Sequence, residues 1–84
     1  MATVRHTDAA WAAPDPSQLA VRLDKLLVAA GLAPSGTEAN RLIKQGAVRI
    51  ENEVQSANHI LIDALPARLS VRVGKRAKLV VITE

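Results

Sequence analysis

Eighty-four residues allow one small domain with a modest stability margin, because surface grows relative to volume as chains shorten, and a large internal active-site cavity is not expected. The apolar content is high but almost wholly aliphatic, with Trp11 the only aromatic residue, so no platform for stacking single-stranded bases can be assembled. A formal charge of +3 and a pI near 10 point to an anionic partner, and the lack of cysteine excludes disulfides and thiolate metal sites.

The charge is unevenly spread. Residues 1–21 hold one Arg and two Asp, whereas from Arg22 onward ten Lys or Arg face six Asp or Glu, so the basic excess belongs to the body of the chain. The apolar run Leu26 to Ala30 is far below the roughly 20 residues needed to span a bilayer. The N-terminus has no secretory core, since Ala9 to Ala13 is short and followed by prolines, and a cytoplasmic location is the default expectation.

In chain order, residues 1–18 contain Pro14, Pro16 and an alanine-rich patch without sustained periodicity, and are read as a linker or flexible lead-in. Such a lead-in suggests a piece of something longer. Trp11 is read equally as an anchor against the domain and as an exposed tail aromatic. Residues 19–84 form the domain proper. Leu19 to Ala30 is the expected first helix, with Leu19, Leu23, Leu26, Leu27 and Ala30 on one face and Arg22, Asp24 and Lys25 beside it. Gly31 ends it, and the short loop Leu32-Ala33-Pro34 makes the next helix its neighbour in a helical hairpin. Ser35 with Glu38 has the form of a capping box, placing the second helix start at Ser35. Ala39, Leu42 and Ile43 then form an apolar stripe, while Thr37, Arg41, Lys44 and Gln45 fall on another, basic face. Gly46 supplies the left-handed stop, and Val48 and Ile50 alternate with Arg49 as in a half-buried strand.

Glu51-Asn52-Glu53 stands where a turn is needed, and Asn52 tolerates positive φ. Val54 to Asn58 carries no clear pattern, and His59 to Asp63 is a short strand. Leu65 to Ala67 is a connection. Leu69, Val71 and Val73 alternate with Ser70 and Arg72, and after Gly74-Lys75-Arg76 the run Lys78 to Ile82 closes a hairpin with a basic turn. Two helices followed by short strands describe an α+β fold: a two-helix hairpin packed on a small, mostly antiparallel sheet.

Catalysis finds little support. In a strand, His59 and Asp63 share a face but stand roughly 13 Å apart, too far for a direct hydrogen bond, so His59 is read as an ordinary surface or edge residue. No His/Cys cluster has metal-ligand spacing, and the four glycines form no phosphate-binding loop. No cofactor, metal or catalytic residue is expected. Phosphate binding is better supported. Arg22 and Lys25 on the first helix, Arg41 and Lys44 on the second, Arg49 on the strand, and Lys75, Arg76 and Lys78 at the hairpin can converge on one concave basic face. The amides near Ser35, Gly36 and Thr37 add positive helix-dipole character, and Gly36 admits a close phosphate. Taken singly, Lys78 and Arg68 are read as solvated charges.

The run Arg22-Leu-Asp-Lys-Leu-Leu27, with Gly31-Leu32, Ser35, Glu38-Ala39, Arg41-Leu-Ile43, Gly46 and Val48-Arg-Ile50, resembles the S-four RNA-binding domain (alpha-L motif) of a small-subunit ribosomal protein. Leu27 to Ala33 and Val71 to Arg76 are similar to the C-terminal domain of bacterial tyrosyl-tRNA synthetases. The resemblance covers about residues 19 to 82. It implies a module that grips structured RNA with its second helix and nearby loops, tethered to an N-terminal catalytic domain that would hold any aminoacylation activity. Carried over by position, Arg22, Lys25, Ser35, Thr37, Arg41, Lys44, Gln45, Lys75 and Arg76 are contact candidates, joined by Arg49 from the charge pattern. This chain departs from the family in carrying Asn40 where a second basic residue is frequent, and Glu51-Asn52 where an Asn-Gly turn is usual.

The expected function is therefore noncatalytic binding of structured RNA, tRNA foremost, without a membrane partner. The alternatives are a free-standing ribosomal-RNA-binding domain of the same family and a basic module that docks an acidic protein.

Overall fold

A computed structural model describes residues 2–11, 19–62 and 64–83. The helical hairpin consists of α1, Leu23–Ala29, and α2, Gly36–Lys44. Both helices end in the same way. Gly31 and Gly46 adopt positive φ, 76° and 72°, and the residue after each donates its amide back into the last turn: Leu32 N to Leu27 O at 2.8 Å, Ala47 N to Leu42 O at 3.1 Å. These paired reverse bonds satisfy carbonyls that a helix end would otherwise leave open, and the left-handed residue they require favours glycine.

The first helix starts later than its apolar spacing suggests. Leu19–Arg22 forms a strand, β3, and the helix begins only at Leu23. Leu19, Ala20 and Val21 suit either geometry, and antiparallel pairing of β3 with β6, His59–Ile62, decides in favour of the strand. The switch is secured from a distance: Asn58 O accepts from Leu23 N at 3.1 Å and Asn58 Oδ1 accepts from Asp24 N at 2.9 Å. A loop 34 residues downstream thus caps a helix whose own Arg22 provides no cap.

The sheet expected behind the hairpin is divided into two. β4 (Val48–Ile50), β5 (Glu53–Val54), β7 (Ala67–Val73) and β8 (Arg76–Thr83) join β1 (Ala2–Arg5) in a five-stranded sheet of order β1-β8-β7-β4-β5. Among the described residues only β1 against β8 is parallel. β2 (Ala10–Trp11), β3 and β6 form a three-stranded antiparallel sheet. The fold is α+β, as the pattern of two helices followed by alternating strands implies. Asn52 has the positive φ expected of it, 69°, and Glu51 before it shares the conformation at 52°.

Residues 2–11, the described part of the segment read as a lead-in, supply a strand to each sheet, joined by a 3-10 turn at His6–Asp8, and they bury Val4 and Ala9. Four-residue β1 is too short to show a period, and its parallel partner lies at the far end of the chain. Trp11 pairs with Ala20 through the backbone, while residues 12–18 and Asp63 lie outside the described residues. One core unites the layers. Leu23, Leu26 and Leu27 of α1, Ala39 and Ile43 of α2, and Val21, Val48, Val71, Val80 and Ile82 from the sheets are all buried. Among the described residues no helix is long and apolar enough to cross a membrane.

Candidate nucleic-acid interface

Helix α2 divides as its periodicity requires. Ala39 and Ile43 face the core and Leu42 is half-buried, whereas Thr37, Arg41, Lys44 and Gln45 are exposed. Ser35 caps the helix, its Oγ accepting from Glu38 N at 3.2 Å. The reciprocal half of the capping box is not made, because the Glu38 carboxylate turns to Arg41 instead and takes two hydrogen bonds from its guanidinium. That pairing lowers the Glu38 pKa and raises that of Arg41. With 62% of its side chain exposed, Arg41 is held in place but open to a ligand. A Cβ at Gly36 would meet nothing within 4 Å, so the first turn is open to solvent.

Lys25 lies beside that first turn. Together with Gly36, Val28, Ala29, Asp8 and Asp24 it lines a shallow concavity at the junction of the two helices. Beneath it sits Asp24, the only buried charged residue among the described ones, at 4% exposure. Its carboxylate accepts from Arg22 Nε at 3.2 Å, a second Arg22 nitrogen at 2.8 Å, Lys25 N at 2.8 Å and Asn40 Nδ2 at 3.2 Å. Burial pushes its pKa up, but the hydrogen bonds from Arg22, the Lys25 amide and Asn58, with the Arg22 charge, outweigh burial and hold it below the usual carboxylate value. Asn40 also donates to Gly36 O at 3.1 Å. The asparagine at this position therefore ties α2 to α1 rather than facing a ligand. Arg22 is likewise engaged within the protein, half-buried against Asp24.

The basic hairpin is tied to the other end of α1. Lys78, half-buried, donates to Ala30 O at 2.8 Å, and Arg76 donates to Gly31 O at 3.1 Å. Positive charge at a helix C-terminus is favourable, so both residues have a structural role, and Lys78 is not the solvated charge its isolated position suggests. Lys75 is exposed in the turn after Gly74.

Arg49 points elsewhere. Val48 and Ile50 are buried on the helix side of the five-stranded sheet, so Arg49 projects from the opposite face. There it stands directly across from Arg72, and the two line a polar concavity with Gly46, Ala47 and Gly74, just past the end of α2. The cationic residues thus do not converge on one surface. Lys25, Arg41, Lys44 and the α2 N-terminus belong to the helices, Arg76 and Lys78 to the α1 C-terminus, and Arg49 to the outer sheet face. Arg72 was legible as the outward residue between Val71 and Val73, but its pairing with Arg49 depends on strand register and could not be read from spacing. Among the described residues no group of His, Cys, Asp and Glu can hold a metal ion.

Comparison with known proteins agrees with this geometry. Residues 21–64, just over half of the chain and including the whole helical hairpin with the second half of β3 and all of β4, β5 and β6, match the family model described as the S4 domain. The chain is also 64% identical over 33 residues to a tyrosine–tRNA ligase from Moorella thermoacetica, a match that spans 39% of this chain and 8% of the ligase. With the capped basic helix, its partner helix and the following strand all inside the matched segment, the chain belongs to the S4 domain family, whose members typically bind RNA.

Proposed function

We propose that this chain is a noncatalytic module that binds structured RNA through its phosphates, and that its natural ligand is tRNA, held on behalf of a tyrosine–tRNA ligase to which the module is joined. The carrying observation is the two-sided character of α2: Ala39 and Ile43 are locked into the core while Thr37, Arg41, Lys44 and Gln45 stand in solvent beside an open helix N-terminus. A rigid row of cations and amides matches a phosphate backbone, and lysine and arginine contacts of this type supply affinity without reading sequence. The likeness to a tyrosine–tRNA ligase supports tRNA as the RNA. Joining to a catalytic unit makes modest intrinsic affinity sufficient, because a linked module works at high effective concentration.

Titration of the chain with a tRNA bearing a long variable arm, over a salt series, tests the proposal. Arg41→Ala and Lys44→Ala each weaken binding and each reduce the slope of log affinity against log salt by about 0.7–0.9. Unchanged titrations for both variants would remove α2 from the interface. Absence of RNA binding even at low salt would favour an acidic protein as the partner.

A further inference from the structure

The outer face of the five-stranded sheet is rich in arginine. Alternation along the strands places Arg49 of β4, Arg68 and Arg72 of β7 and Arg5 of β1 on the exposed side, opposite the helices. Arg49 and Arg72 are register partners, which sets their Cβ atoms roughly 5 Å apart. Arg68 lies four residues from Arg72 on one strand, about 13 Å away. It pairs across β8 Val81 towards β1 Thr3, two residues short of Arg5.

None of the four has a hydrogen bond or ion pair to another described residue, whereas Arg22, Arg41 and Arg76 all do. Glu51, the residue after β4, has its Oε1 occupied by Ser70 N at 2.7 Å. Two like charges directly opposite in a sheet are unfavourable in the free protein, and lysine or threonine would serve solubility as well. Paired guanidiniums instead suit bidentate contact with a phosphate.

We propose that this sheet face is a second phosphate-binding surface, on which Arg49 and Arg72 bracket one phosphate and Arg68 and Arg5 extend the contact along the same RNA. The proposal rests on the RNA-binding reading above and deepens it. The concavity lined by Gly46, Ala47, Arg49, Arg72 and Gly74 lies just past the end of α2, so RNA gripped by Arg41 and Lys44 reaches the sheet by passing over that helix end. Leu79, 44% exposed and paired with Ser70 between the two arginine rows, offers an apolar contact to ribose. An acidic protein segment is the poorer fit, because the exposed apolar residues of this face, Leu79 and Val54, are separated and form no anchor.

The test compares the wild-type chain with Arg49→Gln/Arg72→Gln, Arg49→Lys/Arg72→Lys and Arg5→Gln/Arg68→Gln, titrated with one transcribed tRNA across a salt series. The Gln pair at 49 and 72 is expected to reduce the salt slope by about 0.7–0.9, the value for one phosphate contact, and the Lys pair to preserve most of it. Loss of the like-charge pair is expected to leave the melting temperature unchanged or to raise it by about 1–5 °C. On the wild-type protein, bound RNA is expected to protect Arg49 and Arg72 from phenylglyoxal, read by mass spectrometry. That measurement needs no variant to fold. If the wild type binds tRNA but Arg49 and Arg72 are modified equally with and without it, or if the Gln pair binds unchanged, the sheet surface is overturned and the α2 interface stands. If the wild type binds no RNA, both fall together.

Discussion

Asp24→Ala perturbs the junction on which both helices depend. The Asp24 carboxylate caps the first turn of α1 through Lys25 N, holds Asn40 of α2 and receives two hydrogen bonds from Arg22. Loss of a cap of this kind costs about 1 kcal/mol, and leaving the half-buried Asn40 and Arg22 donors without their acceptor adds about 1–2 kcal/mol. The Arg22 share is kept small because 35% of its side chain is exposed and solvent takes over part of the pairing. A total of about 2–3 kcal/mol lowers the melting temperature by about 8–24 °C for a domain of this size. Asp24→Asn keeps an acceptor for Lys25 N but cannot neutralise Arg22, so it falls between the two.

The pH dependence gives the sharper test. The Asp24 pKa is lowered in the folded chain from an ordinary value of 3.8, so its contribution is fully present above 3.8 and is lost as pH falls through the folded value. Thermal melts by circular dichroism should therefore show a gap between wild type and Asp24→Asn at about pH 7 that closes towards about pH 2. The solvent-exposed Glu38 and Arg41 pair is common to both proteins and cancels in the comparison. A gap of the same size at both pH values would refute the assignment of Asp24 as an ionised, partnered carboxylate.

The remaining predictions concern the two places where the chain is tied together across long sequence separations. Val4→Ala, at a side chain 2% exposed on β1, should cost about 2 kcal/mol by lost burial and the cavity left behind, and a melting temperature equal to that of wild type would show that residues 2–5 do not pack as a strand. Lys78→Met removes the charge-assisted bond to Ala30 O at the α1 C-terminus and should cost about 1 kcal/mol, a fall of about 4–8 °C, while leaving the salt slope of RNA binding unchanged. A reduced slope without loss of stability would return Lys78 to the RNA interface.

Much of the local plan was legible in the chain. Gly31 and Gly46 mark both helix ends because left-handed φ is unfavourable for residues with a Cβ, and Ser35 marks a helix start because its hydroxyl completes an amide that the helix cannot. The apolar and basic faces of α2 follow from a period of 3.6, and the outward position of Arg49 and Arg72 follows from a period of 2. These are properties of a few neighbouring residues, so the sequence by itself determines them.

Tertiary structure decided what depends on partners distant along the chain. Leu19 to Arg22 is a strand because β6 pairs with it, and Ala2 to Arg5 is a strand because β8 does, although neither segment has enough residues to display a period. The same holds for the charges. Arg22, Arg76 and Lys78 were indistinguishable in sequence from Arg49 and Arg72, yet the first three are engaged by Asp24 and by the carbonyls of Gly31 and Ala30, while the last two meet across a sheet face without acidic partners among the described residues. How far a cation is available to RNA depends on what folding places beside it, and that is settled by which backbone ends and carboxylates the packed elements bring within about 3 Å of it.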